Sequence, residues 1–172
     1  MRERYVVFLR GVTPMNARMA ELKRCFEAAG FTNVRTLLTS GNVVFDARAV
    51  TIDGLQRKAE VAMAAALTRP FAAFVRSQSY LKGLLEADPF AAYRVPRSAK
   101  RVITFLRRPA APATVLPPSR RGARILKIQG QEIFSVYVTG PKGPVFMALL
   151  ERTFGTDITT RTWGTVRKCA SA

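Results

Sequence analysis

Along the first ninety residues, short continuous runs of hydrophobic residues alternate with segments in which hydrophobic and polar residues are interspersed. Short apolar runs rich in β-branched and aromatic side chains predict strands, and apolar residues three or four positions apart predict helices. The order is a strand at 4–10, a helix at 19–29, strands at 33–40 and 42–47, a helix at 53–67, a strand at 71–77 and a helix at 79–87. Asp53 is the expected N-cap of the second helix, and Gly30 is the expected stop of the first.

This β-α-β-β-α-β order is typical of a ferredoxin-like subdomain, in which two helices cover one face of a four-stranded antiparallel sheet. The sequence therefore predicts the α+β class. It assigns residues 1–90 to a ferredoxin-like subdomain.

The second half, residues 91–172, predicts a related and smaller α+β subdomain that packs with the first as one unit. A strand at 101–108 is followed by a proline-rich loop, two strands that turn at Gly130, and a helix at 143–155. A short terminal helix with a threonine cap is expected within residues 159–172. The tripeptide Phe-Leu-Arg occurs at 8–10 and again at 105–107, on the first strand of each half. The repeated tripeptide is explained either by a relationship between the two halves or by chance.

Charge is the strongest compositional signal. The chain has 28 basic and 11 acidic residues, a net charge of +17, and the segment from Arg94 to Lys127 holds ten basic residues and no acidic one. A field of this sign attracts polyanions, so nucleic acid or a small phosphate-bearing anion is the expected partner. The same charge would also arise if it served only to keep the protein soluble, or if it reflected the arginine bias of a GC-rich genome.

Several kinds of site are disfavoured by composition. The chain has no histidine and two cysteines, Cys25 and Cys169, which form no Cys-x-x-Cys pair. No metal, disulfide framework or cofactor is therefore predicted, and no nucleotide-binding glycine motif occurs. Cys25 is expected to be an inert core thiol. No apolar run approaches the length that crosses a bilayer, so a cytoplasmic protein without a membrane partner is expected, and the oligomeric state stays open.

Two motifs carry a family resemblance. Leu9-Arg10-Gly11, Asn16, a helix that ends in Gly30-Phe31, and Ser40-Gly41-Asn42-Val43 form the first. The second is Thr159-Thr160-Arg161-Thr162-Trp163-Gly164-Thr165-Val166. Together they resemble the domain of unknown function 1697 family, whose pattern has asparagines where this chain has Thr162 and Gly164. The resemblance implies an α+β fold with ferredoxin-like subdomains and no established activity.

The first motif defines a candidate ligand-binding edge: Arg10, Gly11, Asn16, Ser40, Gly41 and Asn42. In an antiparallel sheet of this order, the end of the first strand lies beside the start of the third, which brings Arg10-Gly11 to the Ser40-Gly41-Asn42 turn. Guanidinium, hydroxyl, amide and glycine N–H groups together suit an anion. The same residues also suit a tight turn with local hydrogen bonds.

The second motif supplies the other candidates, Thr160, Arg161 and Trp163. Threonine and arginine at a helix start could hold a phosphate, and the tryptophan could stack on a base. A capped helix with the tryptophan in the core is the alternative. Three functions thus remain open: a binding module for a phosphate-rich partner, an enzyme acting on a small anionic substrate in a cleft between the subdomains, or a structural protein. No catalytic residue is identifiable.

Overall fold

A computed structural model describes residues 1–120, 122–140 and 145–172. The described residues form five helices and two four-stranded antiparallel sheets. The elements in chain order are β1 (Arg2–Leu9), α1 (Met19–Ala28), β2 (Thr32–Leu37), β3 (Asn42–Arg48), α2 (Ile52–Ala66), β4 (Ala73–Ser77), α3 (Gln78–Ala87), β5 (Lys100–Leu106), β6 (Ala123–Gln129), β7 (Glu132–Tyr137), α4 (Val145–Phe154), β8 (Ile158–Thr162) and α5 (Trp163–Ala170).

The chain divides into two compact units. The first comprises Met1–Glu86 and Val166–Ala172, and the second comprises Ala87–Thr165. The sequence placed a boundary after residue 90 and gave the whole C-terminal end to the second subdomain. In the structure, α5 begins in the second unit and most of it belongs to the first.

The first unit contains a sheet of order β2-β3-β1-β4, the antiparallel order that accompanies a β-α-β-β-α-β chain. The helix α1 buries Leu22, Cys25 and Phe26, which recur at helical spacing and belong to the core of this unit. Gly30 ends α1 as predicted. Its N–H bonds the Glu27 carbonyl at 2.9 Å, and the Phe31 N–H bonds the Phe26 carbonyl at 3.2 Å, which is a Schellman motif.

The second helix is capped by a different residue from the one expected. The Thr51 hydroxyl accepts a hydrogen bond from the Gly54 N–H, so Thr51 is the N-cap of α2. Asp53 lies in the first turn instead, and its carboxylate accepts a hydrogen bond from Gln56. The prediction chose the wrong residue because both threonine and aspartate cap helices, and only two positions separate them.

The second unit repeats the sheet order, as β6-β7-β5-β8. It carries α4 on one face, and the proline-rich connection 107–119 replaces a helix between β5 and β6. The repeat extends to single hydrogen bonds. Leu9 donates its N–H to the Gly41 carbonyl at 2.8 Å, and Leu106 donates its N–H to the Gln131 carbonyl at 2.8 Å. The two Phe-Leu-Arg tripeptides therefore end equivalent strands of two related α+β units, as predicted.

The C-terminal motif contains a strand that the sequence analysis did not predict. Residues 158–162 pair with β5 as β8, and α5 begins only at Trp163. The cap is a threonine as expected: the Thr162 hydroxyl accepts a hydrogen bond from the Thr165 N–H at 3.4 Å. Residues 143 and 144 of the predicted 143–155 helix lie outside the described residues; Val145–Phe154 is helical.

Candidate functional site

The structure brings the first predicted group together at one edge of the first sheet. Phe8 on β1 pairs with Asn42 on β3, so Arg10-Gly11 follows β1 where the Leu38–Gly41 turn leads into β3. The Arg10 N–H bonds the Ala72 carbonyl at 3.0 Å, which ties the same edge to the start of β4. The predicted adjacency of Arg10-Gly11 and Ser40-Gly41-Asn42 is therefore confirmed.

Most polar groups of this edge are used within the protein. Asn42 is fully buried, and its side-chain amide donates to the Leu37 carbonyl at 3.0 Å and to the Ser40 hydroxyl at 3.1 Å. Asn16 closes the loop after β1: its amide donates to the Gly11 carbonyl, and its carbonyl accepts from the Thr13 N–H, both at 2.8 Å. These contacts give both asparagines a structural role, and ligand contact by this group remains a prediction.

Gly41 is required by its surroundings. Its φ is +81°, and a Cβ placed there would lie 2.8 Å from the Val12 Cβ and 3.0 Å from the Leu9 Cβ. Turn conformation and close packing thus both demand glycine. Gly11 also has φ +81°, but a Cβ there would meet only the Arg69 guanidinium, at 3.8 Å. On this edge Ser40 is exposed and Arg10 is half-buried.

The second predicted group lies on a strand and in the core of the second unit. Thr160 and Arg161 belong to β8, so the premise that they begin a helix is wrong. Arg161 is 9% exposed and donates to the Thr159 hydroxyl at 2.9 Å and to the Thr160 carbonyl at 2.7 Å. The Thr160 hydroxyl lies 3.7 Å from the Met147 sulfur on α4.

Trp163 is a core residue. It is 5% exposed and makes edge-to-face contacts with Phe90 and Phe134, with ring centroids 5.2 and 6.2 Å away. Stacking on a nucleic-acid base needs an exposed ring face, and these contacts instead match the core alternative. Cys25 is also buried, and burial raises the pKa of its thiol, in agreement with an inert core cysteine.

One end of the second sheet carries aligned basic side chains that the sequence does not predict as a site. Arg101 on β5 and Arg124 on β6 both lie opposite Val136 on β7, and all three therefore share one face. One residue away, Lys100 pairs with Tyr137 on the face that carries α4. We call Lys100, Arg101, Arg124, Tyr93 and Tyr137 the basic end.

Each cation of the basic end lies near an aromatic ring. The Arg124 guanidinium carbon is 5.8 Å from the Tyr93 ring centroid, and the Lys100 Nζ is 5.9 Å from the Tyr137 centroid. Arg101 lies 5.8 Å from the Phe90 centroid. All three cations are exposed and both tyrosines are half-buried. The ten-cation run of residues 94–127 already contains these three charges, but their alignment depends on strand register, which the sequence does not show.

The net charges of the two units differ less than those of the two sequence halves, which are +5 for residues 1–88 (13 basic, 8 acidic) and +12 for residues 89–172 (15 basic, 3 acidic). The first unit holds 15 basic and 7 acidic residues, and the second holds 13 and 4, so their net charges are +8 and +9. The transfer of Arg167 and Lys168 to the first unit accounts for most of the change. Among the described residues, no cluster of three His, Cys, Asp or Glu side chains could hold a metal ion, and no helix is long and apolar enough to cross a membrane.

Two α+β units with the same antiparallel strand order define the class of this protein. Residues 2–134 match the family described as Protein of unknown function (DUF1697), and the chain belongs to that family. The match ends before the Thr159–Val166 motif, and the family description assigns no activity.

Solved structures agree on the fold. A conserved bacterial protein from Streptococcus pneumoniae is 21% identical, with a TM-score of 0.76 over 99% of this chain and 98% of that chain. At this identity the likeness shows the fold alone. An unknown protein from Galdieria sulphuraria is 15% identical over 94% of this chain and 99% of that chain, and its TM-score of 0.29 carries no argument. None of the curated proteins matches the chain.

Proposed function

We propose that the protein binds single-stranded nucleic acid through the basic end of its second unit. The observation that supports this proposal is the row formed by Arg101 and Arg124 on either side of Val136, with the Tyr93 ring beside Arg124 and the Phe90 ring beside Arg101. Positive side chains that follow a phosphate backbone, interleaved with aromatic rings, are the usual elements of sequence-tolerant single-strand binding.

Spacing supports phosphate contacts. Neighbouring strands lie about 4.8 Å apart, so Arg101 and Arg124, separated by β7, stand about 10 Å apart at their backbones. Long side chains from these positions can reach different phosphates of one strand. Arg94 and Arg97 are also exposed, on the connection between Tyr93 and β5, and they are expected as further phosphate contacts.

The local charge favours a polyanion over a neutral ligand. The strand positions of the basic end, 100–101, 123–124 and 136–137, contain two arginines, one lysine and no acidic residue. Binding of phosphates by exposed cations gains free energy mainly through counterion release, and it carries little base specificity. The protein is therefore expected to recognise the phosphate backbone of a single strand and not a particular base sequence.

The tyrosines supply the preference for single strands. When Arg124 and Lys100 turn toward phosphates, they leave the faces of Tyr93 and Tyr137. An unpaired base can stack on such a face, whereas bases inside a duplex already stack on each other. Tyr137 is held in place by a stacked contact with Phe146, whose centroid is 4.6 Å away.

A matched pair of double variants tests the proposal. Arg101→Gln with Arg124→Gln removes two charges from the basic end, and Arg24→Gln with Arg57→Gln removes two exposed charges from helices of the first unit. Fluorescence anisotropy with labelled single-stranded RNA at about 50 mM salt is expected to show a loss of about tenfold or more for the first pair. The second pair should change affinity by less than about threefold. Equal losses in both pairs would mean that only net charge matters and would refute the assignment of the basic end.

A further inference from the structure

Arg101 on β5 has a counterpart in the first unit. The two sheets have the same strand order, so β1, β3 and β2 correspond to β5, β7 and β6. Leu9 and Leu106 donate equivalent backbone hydrogen bonds at the ends of β1 and β5, and this equivalence aligns the two strands. Five positions before these leucines stand Arg4 in the first unit and Arg101 in the second.

The same alignment extends to the neighbouring strands β3 and β7. Gly41 and Gln131 accept the two equivalent hydrogen bonds. Five positions further along, Asp46 on β3 corresponds to Val136 on β7. The strand pairing agrees, because each of these two residues lies directly opposite the arginine of its own unit. The two units therefore carry the same row of residues across three strands, with an aspartate at the centre of one row and a valine at the centre of the other.

In the first unit the aspartate neutralises the row. The Arg4 guanidinium donates to the Asp46 carboxylate at 2.7 Å. It also donates to the backbone carbonyls of Ala172 at 2.9 Å and Asn33 at 3.4 Å. The third member of the row, opposite Asp46 on β2, is the uncharged Thr32. This row therefore contains one positive and one negative charge, and its only guanidinium is used by contacts within the unit.

In the second unit the valine leaves the row charged. Arg101 and Arg124 lie directly opposite Val136 from its two sides, and both arginines are exposed. Their side chains form no hydrogen bond or ion pair with any residue in the described part of the chain. Each guanidinium instead lies 5.8 Å from the centroid of an aromatic ring, Phe90 for the first arginine and Tyr93 for the second. The row thus holds two positive charges and no negative one.

We propose that Val136 is the specificity-determining residue that makes the second unit, and not the first, the nucleic-acid-binding unit. This inference rests on the proposed function and names the position that controls it. Net charge does not distinguish the units, since they carry +8 and +9. A carboxylate at position 136 would lie between two guanidinium groups, because directly opposite residues have Cβ atoms about 5 Å apart, and it would form charged hydrogen bonds with them. An uncharged side chain at this position keeps Arg101 and Arg124 available for phosphates.

Val136→Asp copies the neutralised row into the second unit, and Val136→Asn is its uncharged match. In anisotropy titrations with labelled single-stranded RNA at about 50 mM salt, Val136→Asp is expected to lose about tenfold or more in affinity. The magnitude of the slope of log K against log[salt] should fall by about 0.7–1.4, the share of one or two phosphate contacts on a single strand. Val136→Asn should stay within about threefold of the wild type and keep its slope.

The wild type and the two variants together separate this inference from the proposed function. Equal losses in both variants would show that position 136 acts through packing. An unchanged affinity of Val136→Asp would show that a carboxylate there does not control the arginines. Either result, with binding by the wild type intact, overturns this inference and leaves the proposed function standing. A wild type that does not bind single-stranded RNA overturns both.

Urea denaturation tests the new ion pair without nucleic acid. At pH 7, Val136→Asp is expected to be more stable than Val136→Asn, because Arg101 can pair with the introduced carboxylate as Arg4 pairs with Asp46. The difference should shrink below about pH 4, where the carboxylate takes up a proton. If Val136→Asp does not fold, Val136→Glu and Val136→Gln replace the pair, since the longer side chain carries its carboxylate further toward solvent. Equal stability of the charged and uncharged variants from pH 7 to pH 3 overturns the inference.

Discussion

Arg101 and Arg124 lie opposite the same residue, Val136, from the two strands that flank β7. Twenty-two residues separate them in the chain, among them the proline-rich connection. Antiparallel pairing alone brings these cations into one row on one face of the sheet. Their alignment is the basis of the proposed nucleic-acid interface.

The stacking part of the proposal is tested at Tyr93. We expect Tyr93→Leu to weaken single-stranded RNA binding by about five- to a hundredfold, because a leucine keeps apolar bulk but offers no aromatic face. Duplex RNA should bind the variant and the wild type with similar affinity. Anisotropy titrations of both probes measure the ratio. An equal loss for single strand and duplex would show that Tyr93 acts through the position of Arg124 and not through stacking.

Gly41 is a position of the first motif that has no room for a side chain. Gly41→Ala is expected to lower the free energy of unfolding by about 2–4 kcal/mol, because the added Cβ meets Val12 at 2.8 Å and the φ of +81° disfavours alanine. Urea denaturation measures the change.

Gly83→Ala is the matched control for that substitution. Gly83 lies in the interior of α3, and a Cβ placed there would have no heavy atom of the described residues within 4 Å apart from its chain neighbours and the backbone of its own helix. Alanine is expected to stabilise this helix by about 0.5–1 kcal/mol. Destabilisation of similar size at both glycines would contradict the steric explanation for Gly41.

The lowered pKa of Asp46 makes the free energy of unfolding depend on pH. Burial alone would raise the pKa of this carboxyl, but hydrogen bonds from Asn33 and Arg4 and the positive charges of Arg4 and Arg2 outweigh burial and lower the pKa. A lowered folded-state pKa gives stability that is complete above the unfolded-state pKa of about 4 and is lost as the pH falls through the folded-state value.

Asp46→Asn should therefore destabilise the protein at pH 7, and the difference from the wild type should shrink below about pH 4. Urea denaturation at a series of pH values measures it. In an Arg4→Gln background the effect should be smaller at every pH above 4, because the positively charged hydrogen-bond partner of Asp46 is absent. A difference that stays constant from pH 7 to below pH 3 would contradict this explanation.

The sequence predicted the features that depend on local pattern. Strand and helix periods gave the α+β class and the element order of the first unit. Gly30 was correctly read as the end of α1, because a left-handed residue after a helix favours glycine whatever packs around it. The adjacency of Arg10 and Ser40 was also predictable, since the antiparallel order alone places the end of β1 beside the start of β3.

The features that were missed depend on pairing between distant segments. Residues 158–162 contain three threonines and an arginine, a composition that gives a strand only because β5 offers a partner. Arg161 is buried for the same reason, which the sequence does not show. The Arg101–Arg124 row depends on strand register, because a shift of one residue would move each side chain to the opposite face.

Salt dependence of single-stranded RNA binding tests the central claim most directly. Five cations, Lys100, Arg101, Arg124, Arg94 and Arg97, predict that log K falls against log[salt] with a slope of about −3 to −4, since each phosphate contact on a single strand contributes roughly −0.7. Arg101→Gln with Arg124→Gln should reduce the magnitude of the slope by about 1.4, and Arg24→Gln with Arg57→Gln should leave it unchanged. No binding at about 50 mM salt, or the same slope in the wild type and both double variants, would contradict recognition of nucleic acid by the basic end.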